Sequence, residues 1–206
     1  MMRVRKLSDD IMYVEAYAAG VATQAERRAS TSGALCRAAR QLFAQNGFEA
    51  ASVDGIAAAA GVTRGAFYHH FSHKEALFEA VFEDVESELV TAVRRAAAPH
   101  ADPLEQLRAG GEAFIEMASD PRFSRIALVD APAVLGPDRY RQIEEAHFLG
   151  LTGSSLARLR PERTPAENAL AARALMAALC ALAIHAAAHP TDLPVAQCVV
   201  RDLLRG

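Results

Sequence analysis

The sequence has no tryptophan, and its aromatic residues make up only 6% of 206 positions. With so few large flat side chains and many alanines, an apolar content of 51% suits closely packed helices better than sheets. Cysteine is scarce too. Cys36, Cys180 and Cys198 are unevenly spaced and form no C-x-x-C pair, which argues against a disulfide framework and for small buried hydrophobes, with a redox sensor as the alternative. No uninterrupted apolar run approaches the roughly eighteen residues a membrane helix needs, so the expectation is a cytoplasmic chain with no membrane partner. G-x-S-x-G, phosphate-loop, dinucleotide and metalloprotease patterns are all missing, so no catalytic residue and no cofactor is assigned. The formal charge of −3 shows no surplus of positive charge, although such an average can hide a basic face on one of two domains. The length allows one large or two small domains.

What is present is organised around Ser52 to Phe78, SVDGIAAAAGVTRGAFYHHFSHKEALF. Ser52 suits an N-cap, and Val53, Ile56, Ala57 and Ala60 follow at i, i+3, i+4 and i+7, one apolar face. Gly61 ends that helix and Thr63 caps the next, expected from Arg64 to about Phe71. On the second helix Ala66, Phe67, His70 and Phe71 share the inward side, and Arg64, Gly65, Tyr68 and His69 the outward one. A guanidinium, a gap, a phenol and an imidazole pack poorly against protein but suit a DNA groove, where Arg forks onto guanine. A helix, a short turn with Gly and a second helix of this kind make a helix-turn-helix. Arg64, Gly65, Tyr68 and His69 are the candidate base contacts. Ser52, Thr63 and Lys74 are the candidate phosphate contacts, Lys74 standing in a third helix that Ser72 and Glu75 are expected to open as a capping box.

Ala39-x-x-Leu42-Phe43, Gly47-Phe48, Ser52-Val53-x-x-Ile56-Ala57, Ala60-Gly61-Val62 and Phe67-Tyr68-x-x-Phe71-x-x-Lys74-Glu75-x-Leu77-Phe78 resemble the DNA-binding domain of the TetR family of bacterial regulators. The resemblance runs without a gap from about Ala29 to Phe82; beyond it the chain matches by length and helical character, with Ile126 to Gly136 similar to a ligand-domain segment of one subgroup. It implies an all-α fold of about nine helices, with a three-helix DNA-binding domain followed by a larger ligand-binding and dimerisation domain. It also implies a homodimer, most simply a repressor that leaves an inverted-repeat operator on double-stranded DNA when a small molecule binds. On that basis 1–28 is an N-terminal arm, 29–71 the DNA-binding domain and 72–206 the ligand-binding and dimerisation domain.

The arm contains Arg3, Arg5 and Lys6 and reads as a solvated or partly disordered tail, with minor-groove contact and a start at Met12 as alternatives. The first helix is expected from about Thr31 to Asn46, buried through Leu35, Ala38, Ala39, Leu42 and Phe43. The helix opening near His73 keeps an apolar stripe to Leu89, so it belongs to both domains. Asp102-Pro103, Asp120-Pro121 and Thr164-Pro165 mark further helix starts, and a break is expected around Pro132. The helix behind Thr164 is apolar on more than one face and needs covering on more than one side. Together with the last helix it is the candidate dimer surface.

Phe114, Met117, Asp130, Tyr140, His147, Phe148 and Met176 are the candidate pocket residues, with plain core as the alternative for the apolar ones. Asp130 is the one acid in an apolar stretch, so it either satisfies backbone near Pro132 or orients a ligand. His69 with His73, and His185 with His189, stand at i, i+4, but neither pair has the further ligands a metal site needs; no metal is assigned. A helical enzyme or a metal sensor using the second domain is the alternative to the regulator.

Overall fold

The computed structural model describes the backbone of residues 3–204, with side chains from residue 24 to residue 204 except residue 149. The elements are α1 Arg3–Ala50, α2 Val53–Ala59, α3 Arg64–His70, α4 Lys74–Ala97, α5 Pro103–Ala118, α6 Pro121–Ser124, α7 Ala131–Glu144, α8 Gly150–Leu159, α9 Pro165–Ala188 and α10 Leu193–Leu203. π-helical turns at Arg125–Asp130 and Glu145–Leu149 join α6 to α7 and α7 to α8, and no strand occurs among the described residues. The all-α expectation holds. The expected boundary near residue 29 does not appear in the backbone: α1 is helical from Arg3, through a stretch with no proline and one glycine. The side chains of Arg3, Arg5 and Lys6, and all of Met1 and Met2, lie outside the described residues.

Gly47 takes φ 79° and ψ 167° and interrupts α1 where the sequence placed its end. That conformation is open almost only to glycine, and a Cβ at Gly47 would also collide with the Arg125 guanidinium. The kink turns Phe48 back into the core, where its ring lies 5.7 Å from Phe43 and 5.2 Å from Phe78. It also takes the Phe48 N–H and C=O out of the helix, and both must then find partners. The N–H donates to Asp130 Oδ2 at 2.8 Å, and the C=O accepts from Lys74 Nζ at 2.8 Å.

Asp130 therefore does satisfy free backbone, but not at Pro132. There the chain stays helical, because Ala131 N–H reaches back five residues to Ile126 O in a π step that accommodates a proline with no N–H. The break comes instead at Gly136, φ 75°. α4 is the central rod, burying Leu77, Phe78, Val81, Phe82, Val85 and Leu89 and packing on α1, α5 and α7. The opening of α4 also differs from expectation. His73, not Ser72, is its N-cap, with Nδ1 accepting from Ala76 N–H at 3.1 Å, so the imidazole takes an orphan donor one residue beyond the one Ser72 would have capped.

Gly47→Ala is expected to lower the free energy of unfolding by about 1–3 kcal/mol, the cost of forcing a side chain into that backbone region. The check is the urea midpoint at unchanged slope; an unshifted midpoint would show that the kink is not constrained.

Candidate nucleic-acid interface and ligand cavities

α2 and α3 stand as the cap residues direct. Ser52 Oγ accepts from Gly55 N–H at 3.0 Å and Thr63 Oγ1 from Ala66 N–H at 3.1 Å. Gly61, at φ 70°, makes the turn, and Val62 N–H reaches back to Ala57 O. Ile56, Ala57 and Phe67 are buried and hold the pair on the core. Arg64, Gly65, Tyr68 and His69 all lie exposed on one side of α3, while His70 is half-buried.

Arg64 is folded back on the protein. Its guanidinium donates to Asp54 Oδ2 at 2.6 Å and lies 5.7 Å from the centre of the Tyr68 ring. Its pKa is raised, chiefly by the hydrogen bond to Asp54. Both partners are well exposed, and such surface pairs contribute little, so the pair can be exchanged at small cost. Gly65 has no internal reason to be glycine. A Cβ there would meet only Thr63 Oγ1, at 3.8 Å.

Lys74 has protein partners that its charge alone did not reveal. Its ammonium donates to Phe48 O at 2.8 Å and Ala51 O at 3.0 Å and sits 4.0 Å from the centre of the Phe48 ring. Two of its three N–H groups thus cap the end of α1, which gives it a place in the framework.

Two cavities lie between α5, α7, α8 and α9, sharing Phe148, Thr152 and Met176 in their walls. One, of about 220 Å³, includes Phe114 and the Gln106, Ser155 and Arg158 polar group. The other, of about 320 Å³, includes Tyr140, Glu144 and Cys180. Of the pocket candidates, Phe114, Tyr140, Phe148 and Met176 line these cavities. Met117 does not: it faces a separate groove against α1, with Arg37 and Arg40. Asp130 is spent on Phe48 and on Arg125, whose Nε donates to it at 3.1 Å, and neither Asp130 nor His147 lines either cavity.

Sequence reasoning singled out neither Glu144 nor Glu86. Tyr140 O–H donates to Glu144 at 2.9 Å, and the Tyr140 ring stacks on Phe82. Burial raises the Glu144 pKa against that hydrogen bond, and burial followed by the nearby Glu144 charge pushes Cys180 up to about 12. His185 bonds to Asp192 at 2.9 Å and its ring centre lies 4.7 Å from that of His189, the planes tilted by 42°, and no cluster of three metal-ligating side chains occurs among the described residues.

α9 is long and apolar enough, by length and composition alone, to cross a membrane, and only 22% of its most apolar window is buried. Its exposed positions Leu170, Ala174, Ala177, Ala181, Ile184 and Ala188 recur at alternating spacings of four and three. That repeat is the seam of a helix packed against another helix. On α10, Val195, Val199 and Leu203 are exposed beside it.

Comparison with known proteins supplies the context for these features. Residues 35–81 match the family model of the bacterial regulatory proteins of the tetR family, and residues 104–206 that of the tetracyclin repressor-like C-terminal domain. The chain is 40% identical over 84 residues to the transcriptional activator FasR of Mycolicibacterium smegmatis, covering 41% of this chain and 38% of that one. It is 37% identical over 97 residues to a transcriptional repressor of Mycobacterium tuberculosis, covering 42% of this chain and 51% of that one. The match thus spans less than two thirds of either relative. A TetR-family transcriptional regulator from Pectobacterium atrosepticum superposes with a TM-score of 0.71 at 29% identity, over 88% of this chain and 95% of that one. With two family models placed in order along it, and a helix-turn-helix where the first of them falls, this chain belongs to the TetR family of bacterial regulatory proteins.

Proposed function

We propose that the protein is a homodimeric, ligand-responsive DNA-binding regulator of transcription, a repressor that leaves an inverted-repeat operator when a small molecule occupies the cavities beside α7. The observation that carries the DNA reading is the outward face of α3. A glycine inside a helix costs up to about 1 kcal/mol relative to alanine. With open space around Gly65, the close approach it permits is to something outside the protein. Arg64, released from Asp54, gives a fork for guanine, and Tyr68 and His69 flank it.

Ser52 and Thr63 use their oxygens as acceptors within the caps. Their O–H groups remain as donors for phosphates, and Lys74 retains one N–H for the same use. The domain division at 71/72 is a division of labour along a continuous structure, because α4 takes part in both regions. The α9 and α10 seams support pairing with a second copy, which would place two α3 helices about 34–36 Å apart for successive major grooves. A soluble regulator that reaches the chromosome works in the cytoplasm.

Gly65→Ala is expected to leave the thermal midpoint unchanged or raised while weakening binding to the preferred duplex. Equal or tighter DNA binding would show that nothing approaches that position. Arg64→Ala should cost about 1–3 kcal/mol on the specific site and relax one base position, as measured by selecting bound sites from random duplexes. An unchanged preferred site would remove Arg64 from the reading face. The proposed seam runs through the exposed Ala177 and Ala181. Ala181→Arg should therefore yield monomers by light scattering, since an unpaired charge in a helix–helix interface is strongly destabilising. A stable Ala181→Arg dimer would move the interface elsewhere.

A further inference from the structure

The smaller of the two cavities carries charge of one sign only. Leu107, Phe114, Phe148 and Leu179 give it a buried, apolar floor. Two exposed arginines, Arg94 near the end of α4 and Arg158 on α8, stand at its edge, and no acidic side chain lines it. The larger cavity differs, with Glu144 and Glu145 in its wall beside Arg141 and Arg173.

The acids on the elements around the smaller cavity are engaged elsewhere. On α5, Asp102 caps the helix, Glu105 pairs with Arg108, Glu112 pairs with Arg201, and Glu116 lines the groove against α1. Glu144 accepts from Tyr140, Glu145 pairs with Arg173, and Glu167 closes the Thr164 capping box. α8 has no acid at all, and the last one on α4 is Glu88, held by Arg40.

Neither arginine has a carboxylate partner among the described residues. The Arg94 side chain makes no hydrogen bond or ion pair there. Arg158 donates to two neutral acceptors, Gln106 Oε1 at 3.1 Å and Ala101 O at 3.0 Å. Gln106 is itself held, its Nε2 donating to His100 O at 2.7 Å. The Arg158 guanidinium is thereby oriented, keeps further N–H donors in reserve, and has no counter-charge.

We propose that this cavity takes an amphipathic carboxylate, a small aryl- or alkyl-carboxylic acid in its ionised form. The carboxylate lies at Arg94 and Arg158, and the apolar part lies on Phe114 and Phe148. A guanidinium fork matches a carboxylate in two parallel N–H···O bonds, which adds geometry to charge. A neutral ligand would gain the apolar burial alone, and an organic cation would meet two like charges. At about 220 Å³ the cavity lies below the roughly 300–1,000 Å³ of drug-sized sites, so the apolar part is a single ring or a short chain. A carboxylate shared by both arginines would tie α8 to the far end of α4, the helix whose first turn holds the end of α1. The proposal rests on the ligand-responsive reading above and names the class of its effector.

The test is calorimetric titration of the full chain with hydrocinnamate and with octanoate, each beside its uncharged amide, at low and high salt. Gel retardation of the selected duplex with each ligand accompanies it. Each acid is expected to bind at least about tenfold more tightly than its amide at low salt. The preference should shrink at high salt, because both arginines are exposed. Arg94→Gln removes no internal contact, so it should reduce the preference while leaving the thermal midpoint unchanged. Arg94→Gln combined with Arg158→Gln should abolish the preference and keep affinity for the amides. If that double variant still prefers the acids, the carboxylate is bound elsewhere and the proposal falls. If acid and amide bind the wild type equally, the carboxylate class is wrong, and release of the duplex by either still supports ligand response. If the acids are preferred but release nothing, the site stands and ligand response falls. If none of the four binds, the proposal falls, and a retarded duplex leaves the DNA reading intact.

Discussion

The structure depends on how one residue is held. Phe48 follows the kink at Gly47, which leaves its backbone N–H and C=O without helical partners inside a half-buried region. Leaving either unmade would cost about 1–3 kcal/mol, so their pairing is a condition of the fold. The N–H goes to Asp130, at the end of the π turn before α7, and the C=O goes to Lys74, in the first turn of α4. Arg125 fixes Asp130 and covers Gly47; the ring of Phe48 packs on Phe43, on Phe78 and under the Lys74 ammonium. The end of α1, the start of α4 and the segment leading into α7 are thereby fastened at a single point. α2 and α3 depart from that point.

The proposed effector cavities adjoin the same two arms. α4 carries Lys74 at one end and lends Val93, Arg94 and Ala97 to one cavity. The other arm carries Asp130 and then, through α7, Tyr140 and Glu144 of the second cavity. A ligand that changed the spacing of α4 and α7 beside these cavities would change the spacing of Lys74 and Asp130 across Phe48. Only a ligand with different affinities for the two spacings can shift the DNA-binding helices, and such couplings are typically about 1–3 kcal/mol.

How much could be read beforehand follows the range of each interaction. Ser52, Gly61, Thr63 and the inward stripe of α3 act within a few residues, so their pattern is in the sequence. The start of α9 at Thr164-Pro165 came through for the same reason. Ser72 with Glu75 looked like a capping box, yet His73 does that work; two local solutions competed and only the backbone decides between them. Asp130 was legible as a costly acid that had to pair with backbone, but its partner lies 82 residues away, beyond any spacing rule. The two carbonyls that Lys74 holds were not legible, because they belong to the end of another helix. Glu86 was missed because periodicity counts an acid as the solvent side of a stripe, and only the tertiary packing of other helices over α4 buries it. Met117, Asp130 and His147 show the converse: residue type suggested a pocket that the tertiary arrangement formed elsewhere.

The central claim, that the grip on Phe48 makes the helix-turn-helix and the helical body one cooperative unit, is tested most directly by amide hydrogen exchange in Asp130→Ala. In the wild-type protein the amides of α2 and α3 should exchange only with the global opening that also frees α5. In the variant, with the Phe48 N–H stranded, they should open on their own, at a free energy about 1–3 kcal/mol lower, while α5 and α9 keep their protection. If α2 and α3 remain as protected in Asp130→Ala as in the wild type, the coupling does not run through Phe48.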